Sequence, residues 1–169
     1  MTLTQGNTRF ALELYQQIKD EGGGNVFFSP YSISTALGLT YVGARGETAS
    51  EMARVMHFDL PTETLARAFA DLANRFEAVQ AKKQVQLAVA NSLWPQQGSR
   101  LRPEFLDLCQ RQFHARVCLL DYVKAREAAR QAINGWVEKK TQDKIKALLQ
   151  PDDLTALTRL VLCNAIYFK

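Results

Sequence analysis

The sequence predicts an α+β fold, with helices packed against a β-sheet. Three observations carry that expectation. Apolar residues recur at helical spacing in several stretches, as at Leu65, Phe69, Leu72 and Phe76. The run from Val85 to Trp94 instead alternates, with Val85, Leu87, Val89 and Leu93 facing one way, which is the period of a strand. Leu160 to Phe168 is apolar with the single carboxamide of Asn164, and suits a central strand buried on both faces.

The 169 residues are 47% hydrophobic and 22% charged, enough for one domain with a real core, since a chain of about 150 residues buries roughly 70% of its surface. Net charge is +4. The cations are interleaved with acids, so a dedicated nucleic-acid face is not expected. The 3 cysteines, Cys109, Cys118 and Cys163, cannot all pair within the chain and read as reduced core thiols. No stretch is long enough to span a bilayer, so no membrane partner is expected. The stretch Met1 to Asn7 lacks the basic start and apolar core of a signal peptide. A cytoplasmic chain is expected if Met1 is the true start.

In chain order, Asn7 to Lys19 reads as the first helix, with Asn7 as its cap, Phe10, Leu14 and Ile18 on one face, and Gly22, Gly23 and Gly24 ending it. Val26-Phe27-Phe28 reads as a short strand. Ser29 is the natural N-cap of a helix begun by Pro30, whose ring suits a first turn. Ile33, Leu37 and Tyr41, with Ala36 and Thr40 beside them, are its expected buried side. Ser29 and Ser32 therefore bring two hydroxyls into an apolar core, where they need partners. The glycine turn Gly43 to Gly46 ends that helix. Thr48 to Glu51 reads as a capping box, and Pro61-Thr62 opens the helix carrying the Leu65 stripe.

Beyond the alternating strand, Pro95 to Gly98 turns the chain. Pro103 opens a helix with Phe105, Leu106, Cys109 and Phe113 inward, and Ala115 to Leu120 reads as a second strand. Ala125 to Lys140 is a helix with Ala129, Ile133, Trp136 and Val137 as its stripe. Gly135 inside it should cost about 1 kcal/mol against alanine. Asn164, a lone carboxamide in an apolar strand, is costly unless bonded.

Catalytic chemistry finds little support. The chain has 2 histidines, His57 and His114. Ser29 is expected to be buried, and no Gly-x-Ser-x-Gly elbow occurs, so no nucleophilic triad is predicted. Cys109, His114 and Cys118 fit no common zinc spacing. Gly43 to Gly46 lacks the lysine and length of a phosphate loop. No catalytic residue, metal or cofactor is expected.

One run carries a family resemblance. Asn25, Ser29-Pro30, Ser32-Ile33, Ala36-Leu37, Gly43-Ala44, Gly46, Thr48 and Glu51-Met52 stand as they do in the serpins. So do Asn7, Phe10, Leu14 and Tyr15, then Ala90-Asn91-x-Leu93-Trp94, then Ile133-Asn134-x-Trp136-Val137, and finally Asn164-Ala165-Ile166-Tyr167-Phe168-Lys169. These motifs occur in the family's order and cover nearly the whole chain, so the sequence resembles the N-terminal portion of a serpin.

The resemblance implies helices packed on part of a large central sheet, incomplete after the strand ending at Lys169. Residues 1–169 would be the N-terminal part of one serpin domain. The C-terminal half and its reactive loop, and with them any reactive-centre bond, would lie outside the chain. It further implies that Ser29, Ser32 and Asn164 meet in the shutter network, and that Asn134 and Trp136 belong to a helix lying across the sheet. In some serpins the helix equivalent to the one with the Leu65 stripe binds sulphated polysaccharide. The candidates here are Arg67, Arg75, Lys82 and Lys83, diluted by Asp71 and Glu77. The implied function is inhibition of serine or cysteine endopeptidases by loop insertion in the full-length parent, the chain alone being non-inhibitory and not an enzyme. A target protease, engaged through the missing loop, and the chain's own C-terminal half are the implied partners. The alternative is a non-inhibitory binding or structural module on a serpin scaffold. Extracellular location is common in the family.

Overall fold

The computed structural model describes residues 1–20, 24–81 and 87–168, apart from the side chains of Leu87, Ala88 and Phe168. It resolves into two compact units, Met1–Leu72 and Ala73–Lys169, each taken by itself below.

The first unit is helical. α1 (Leu3–Ile18) starts four residues earlier than expected, because Thr2 rather than Asn7 caps it. The Gln5 N–H donates to Thr2 Oγ1 at 3.2 Å and the Thr2 N–H donates to Gln5 Oε1 at 3.0 Å, a reciprocal box that satisfies two orphan amides. Phe10 is buried and Leu14 and Ile18 are half-buried. Gly22 and Gly23, read as ending this helix, lie outside the described residues. Val26 to Phe28 forms no strand, and Phe27 is 99% exposed. A strand exists only by pairing, and the elements described in this unit are all helices.

α2 (Pro30–Tyr41) has Pro30 in its first turn and Ser29 as N-cap, as expected. Its buried side is not the expected one. Ser32, Ser34, Thr35, Gly38 and Leu39 are buried, whereas Ile33, Leu37 and Tyr41 are half-buried. Small or apolar residues surround most of this helix, so periodicity alone does not choose a face. Packing against α1 and against α3 (Gly46–Met56) does. α3 starts at Gly46, which places Thr48 inside the first turn, and the expected Thr48–Glu51 capping box does not form. His57 ends α3 in the left-handed region at φ 54°. Phe58 then packs between Tyr41 and Phe69, with ring centroids 5.2 and 5.9 Å away. Phe69 belongs to α4 (Thr62–Ala81), whose buried residues Leu65, Ala66 and Phe69 all lie in this unit.

Among the described residues the second unit holds a three-stranded sheet in the order β2-β1-β3. β1 (Leu87–Pro95) pairs antiparallel with β3 (Leu160–Phe168) along its whole length, Leu87 opposite Phe168 and Pro95 opposite Leu160. Val85, the expected start of β1, lies outside the described residues. β2 is only Arg116–Val117, parallel to β1, shorter than the expected Ala115 to Leu120. Its backbone bonds continue nonetheless, from the Cys118 N–H to the Leu93 carbonyl at 3.0 Å and from the Leu120 N–H to the Pro95 carbonyl at 2.9 Å. Among the described residues β3 is an edge strand rather than a central one, and most of it is half-buried.

The pleat sorts the side chains into two faces. Ala90, Ser92 and Trp94 share one with Val161, Cys163 and Ala165. That face carries the main core, closed by α6 (Arg126–Lys140) through Ala129, Ile133, Trp136 and Val137 as expected, together with Tyr122 and Leu154. Val89, Asn91 and Leu93 share the other with Leu162, Asn164 and Ile166. α5 (Pro103–Phe113) buries Cys109 and Phe113 and hands the chain to β2.

Candidate functional site

The polar centre of the sheet is a pair of asparagines. Asn91 of β1 stands opposite Asn164 of β3 in the antiparallel register. Asn164 Nδ2 donates to Asn91 Oδ1 at 2.7 Å, and Asn91 Nδ2 donates to the Phe113 carbonyl at the end of α5, 3.1 Å away. Asn91 is 8% exposed. The two carboxamides thus bond one another on a face whose other side chains on these strands, Val89, Leu93, Leu162 and Ile166, are apolar. Asn164 was expected to need a partner, and Asn91 is one. In the sequence Asn91 stands out only within the motif Ala90-Asn91-x-Leu93-Trp94. Its alternation with Val89 and Leu93 put it on this face, but the facing residue depends on the β1–β3 register.

Ser29 and Ser32 belong to the first unit. Ser29 Oγ accepts from the Ser32 N–H at 3.3 Å, which makes it the N-cap of α2. Ser32 is buried in the first turn. An Oγ that accepts from an amide keeps its own proton to donate elsewhere.

α6 is fixed to its unit at two points. Trp136 meets Trp94 edge-on, with centroids 5.9 Å apart and planes at 80°. Trp94 is held in turn by Ser92, whose Oγ accepts from the indole N–H at 2.8 Å, and the Arg116 guanidinium stands 5.6 Å from its ring centre. Asn134 bonds both backbone groups of Leu149, in the connection that follows α6. Asn134 and Trp136 therefore sit on the helix that covers one face of β1 and β3.

The structure describes two of the four polyanion candidates. Arg67 pairs with Glu63 at 3.7 Å, Arg75 is exposed, and Lys82 and Lys83 lie outside the described residues. Each histidine has an acidic neighbour: His57 Nε2 is 2.7 Å from Glu13 and His114 Nδ1 is 3.5 Å from Glu77. Among the described residues no three His, Cys, Asp or Glu side chains gather as a metal site. Burial pushes the Cys109 thiol up to about 12 and the Cys163 thiol up to about 11, so neither carries an appreciable thiolate at neutral pH. Among the described residues no helix is long and apolar enough to cross a membrane.

A family model described as Serpin (serine protease inhibitor) matches residues 5–169. Leukocyte elastase inhibitor from Xenopus tropicalis is 39% identical over 174 residues, covering 99% of this chain and 44% of that protein. Serpin B6 from Macaca fascicularis is 39% identical over 169 residues, with the same coverage of 99% and 44%. The chain thus spans less than half the length of these relatives. Among solved structures, ovalbumin from emu (Dromaius novaehollandiae) superposes with a TM-score of 0.91 at 27% identity, covering 100% of this chain and 47% of that one. A structure described as cleaved Serpin 42Da superposes at 0.78 with 31% identity, covering 98% of this chain and 41% of that one.

Proposed function

The chain belongs to the serpin family, and from that premise we propose that residues 1–169 form the N-terminal part of one inhibitory serpin domain. A C-terminal half would supply the reactive loop and the remaining strands. Serpins as a family are protease inhibitors, and the relatives above include proteins named leukocyte elastase inhibitor. The target class is a serine endopeptidase, elastase first, with cysteine endopeptidases second. The chain itself performs no catalysis.

The observation that carries this reading is the outer edge of β3. Among the described residues this nine-residue strand pairs with β1 on one side only, and no charge or proline lies between Leu160 and Phe168. Its outward N–H and C=O groups match the needs of a further strand. In the proposed mechanism the target cuts the reactive loop and stays covalently attached. The loop then enters the sheet as a new strand and drags the protease with it. α6, held by Trp136 and Asn134, lies over the strands that must part or shift. Ser29, Ser32 and Asn164 make up the shutter network that opposes opening. In the intact protein Ser32→Ala would then lower stability by about 1–3 kcal/mol, by leaving a buried partner unpaired. An unchanged denaturation midpoint would remove Ser32 from the network.

Incubation with an elastase, followed by denaturing electrophoresis, tests the reading. The full-length protein should give a complex that survives SDS, and residues 1–169 alone should give none. A complex formed by these residues alone would overturn the division of labour proposed here. A full-length protein that traps neither serine nor cysteine proteases would move the scaffold to a binding or structural role.

A further inference from the structure

The asparagine pair has a direction. A backbone carbonyl can only accept, so the Phe113 oxygen fixes which end of the Asn91 amide faces it: the Nδ2 group, at 3.1 Å. The Oδ1 of Asn91 must then point the other way, toward β3. Only a donor can meet it there, so Asn164 turns its Nδ2 inward, at 2.7 Å. The Oδ1 of Asn164 is thereby directed away from Asn91. Reversing Asn164 alone would set two carbonyl oxygens at hydrogen-bond distance. Reversing both would set the Asn91 oxygen against the Phe113 carbonyl. A single acceptor at the end of α5 therefore orients two carboxamides across two strands.

We propose that Asn91 is a positioning residue: through its bond to Phe113 it orients the amide of Asn164, so that Asn164 presents an oxygen to whatever polar group covers it. The Asn164 oxygen then takes hydrogen-bond donors, such as hydroxyl or amide N–H groups, and a carbonyl or carboxylate set against that oxygen is unfavourable. The inference gives a chemical polarity to the shutter network of the proposed function and rests on that reading for its role in sheet opening. The polarity itself rests only on the two bonds within the sheet unit.

Asn164→Asp in the intact protein tests the direction. With the proposed polarity the new carboxyl faces the Asn91 oxygen and can bond it only when protonated. Its pKa in the folded state is then raised above the unfolded value of about 3.9. The variant's deficit in melting temperature against the parent should be largest near about pH 8 and fall by at least half near about pH 5. With the opposite polarity the carboxylate would accept from an Asn91 N–H. Its pKa would be lowered, and the deficit would grow on acidification. A growing or pH-independent deficit overturns the proposal. In an Asn91→Ala background the recovery at low pH should disappear, which a general packing defect at position 164 would not predict. If Asn164→Asp does not fold, the parent protein decides the matter. Nitrogen-15 NMR should show a coupling across the hydrogen bond from Asn164 Nδ2 to the Asn91 carboxamide carbon, and the reverse coupling would refute the assignment. None of these readouts uses a protease, so a failed inhibition assay and a failed polarity test remain separate results.

Discussion

Asn134 holds Leu149 by both of its backbone groups. Its Nδ2 donates to the Leu149 carbonyl at 2.9 Å and its Oδ1 accepts from the Leu149 N–H at 2.8 Å. Arg130 donates to the same carbonyl at 2.9 Å from one turn earlier on α6. The connection from α6 to β3 contains left-handed residues at Gln142, Asp143 and Ala147, so it has little regular structure to hold it. The side chains of α6 take that role.

Asn134→Ala removes both Asn134 bonds and leaves a part-buried N–H without its acceptor. The expected loss is about 1–3 kcal/mol. Asn134→Asp keeps an acceptor for the N–H and sets a carboxylate against the Leu149 carbonyl, so it should not restore the parent. Limited proteolysis within residues 141–159 should quicken in both variants while cleavage elsewhere is little changed. Equal protection in parent and Asn134→Ala would show that Arg130 alone suffices.

Two glycines should respond in opposite directions to alanine. Gly135 is exposed inside α6, and a Cβ added there meets nothing within 4 Å. Gly135→Ala should stabilise by about 1 kcal/mol through helix propensity. A Cβ on Gly6 of α1 would stand 2.6 Å from the His57 carbonyl oxygen, which is backbone and cannot swing aside. Gly6→Ala should force α1 away from the end of α3 and destabilise by about 1–3 kcal/mol, as overpacking does. Thermal melts of the two variants beside the parent decide both.

Glu127 gives a pH signature. Hydrogen bonds from Arg130 and then Gln131 hold its carboxyl down at about 2, well below the ordinary glutamate value. A depressed folded pKa means that the contribution is present above the unfolded value and lost as pH falls through the folded one. The stability difference between parent and Glu127→Gln should therefore be level above about pH 5 and shrink toward about pH 2. Glu127 is exposed, so salt should shrink it too. A difference that grows on acidification would contradict the assignment.

How much of this could be read from the chain depends on how local each signal was. α6 and its stripe of Ala129, Ile133, Trp136 and Val137 were legible because one face is strongly apolar and the other charged. The cap of α2 was legible because Ser29-Pro30 is a local signal. The true start of α1 was also local, in Thr2 and Gln5, but Asn7 offered a competing cap closer to the apolar stripe. The buried side of α2 was not local, since Ser34 and Gly38 are chosen by how closely neighbouring helices approach. Val26 to Phe28 has strand character in sequence and pairs with no strand among the described residues of its unit. At the candidate site, Asn164 was legible as a polar residue in an apolar run, whereas Asn91 became its partner only through a nine-residue register between segments 73 positions apart. The edge of β3 was legible only in composition: an apolar run without charge or proline suits a strand with neighbours on both sides, and the register to β1 supplies one.

That edge carries the last prediction. β3 has β1 on one side and, among the described residues, no strand on the other. Leu160 is 44% exposed, and Val161, Leu162, Ile166 and Tyr167 are half-buried, so both backbone groups and apolar side chains are left for a neighbour. Natural edges are guarded by charge, proline or bulges. This strand has none between Leu160 and Phe168, and only Arg159 and Lys169 flank it. Its composition is that of a segment able to pair with copies of itself. Residues 1–169 in isolation should therefore self-associate through β3, and a C-terminal serpin half added in trans should restore a soluble complex. Ile166→Lys places a charge on the strand and should reduce association. Sedimentation velocity at micromolar concentration measures all three samples. If the chain sediments as a monomer and unfolds cooperatively, the edge is not the adhesive surface argued here, and β3 needs no further strand to be stable.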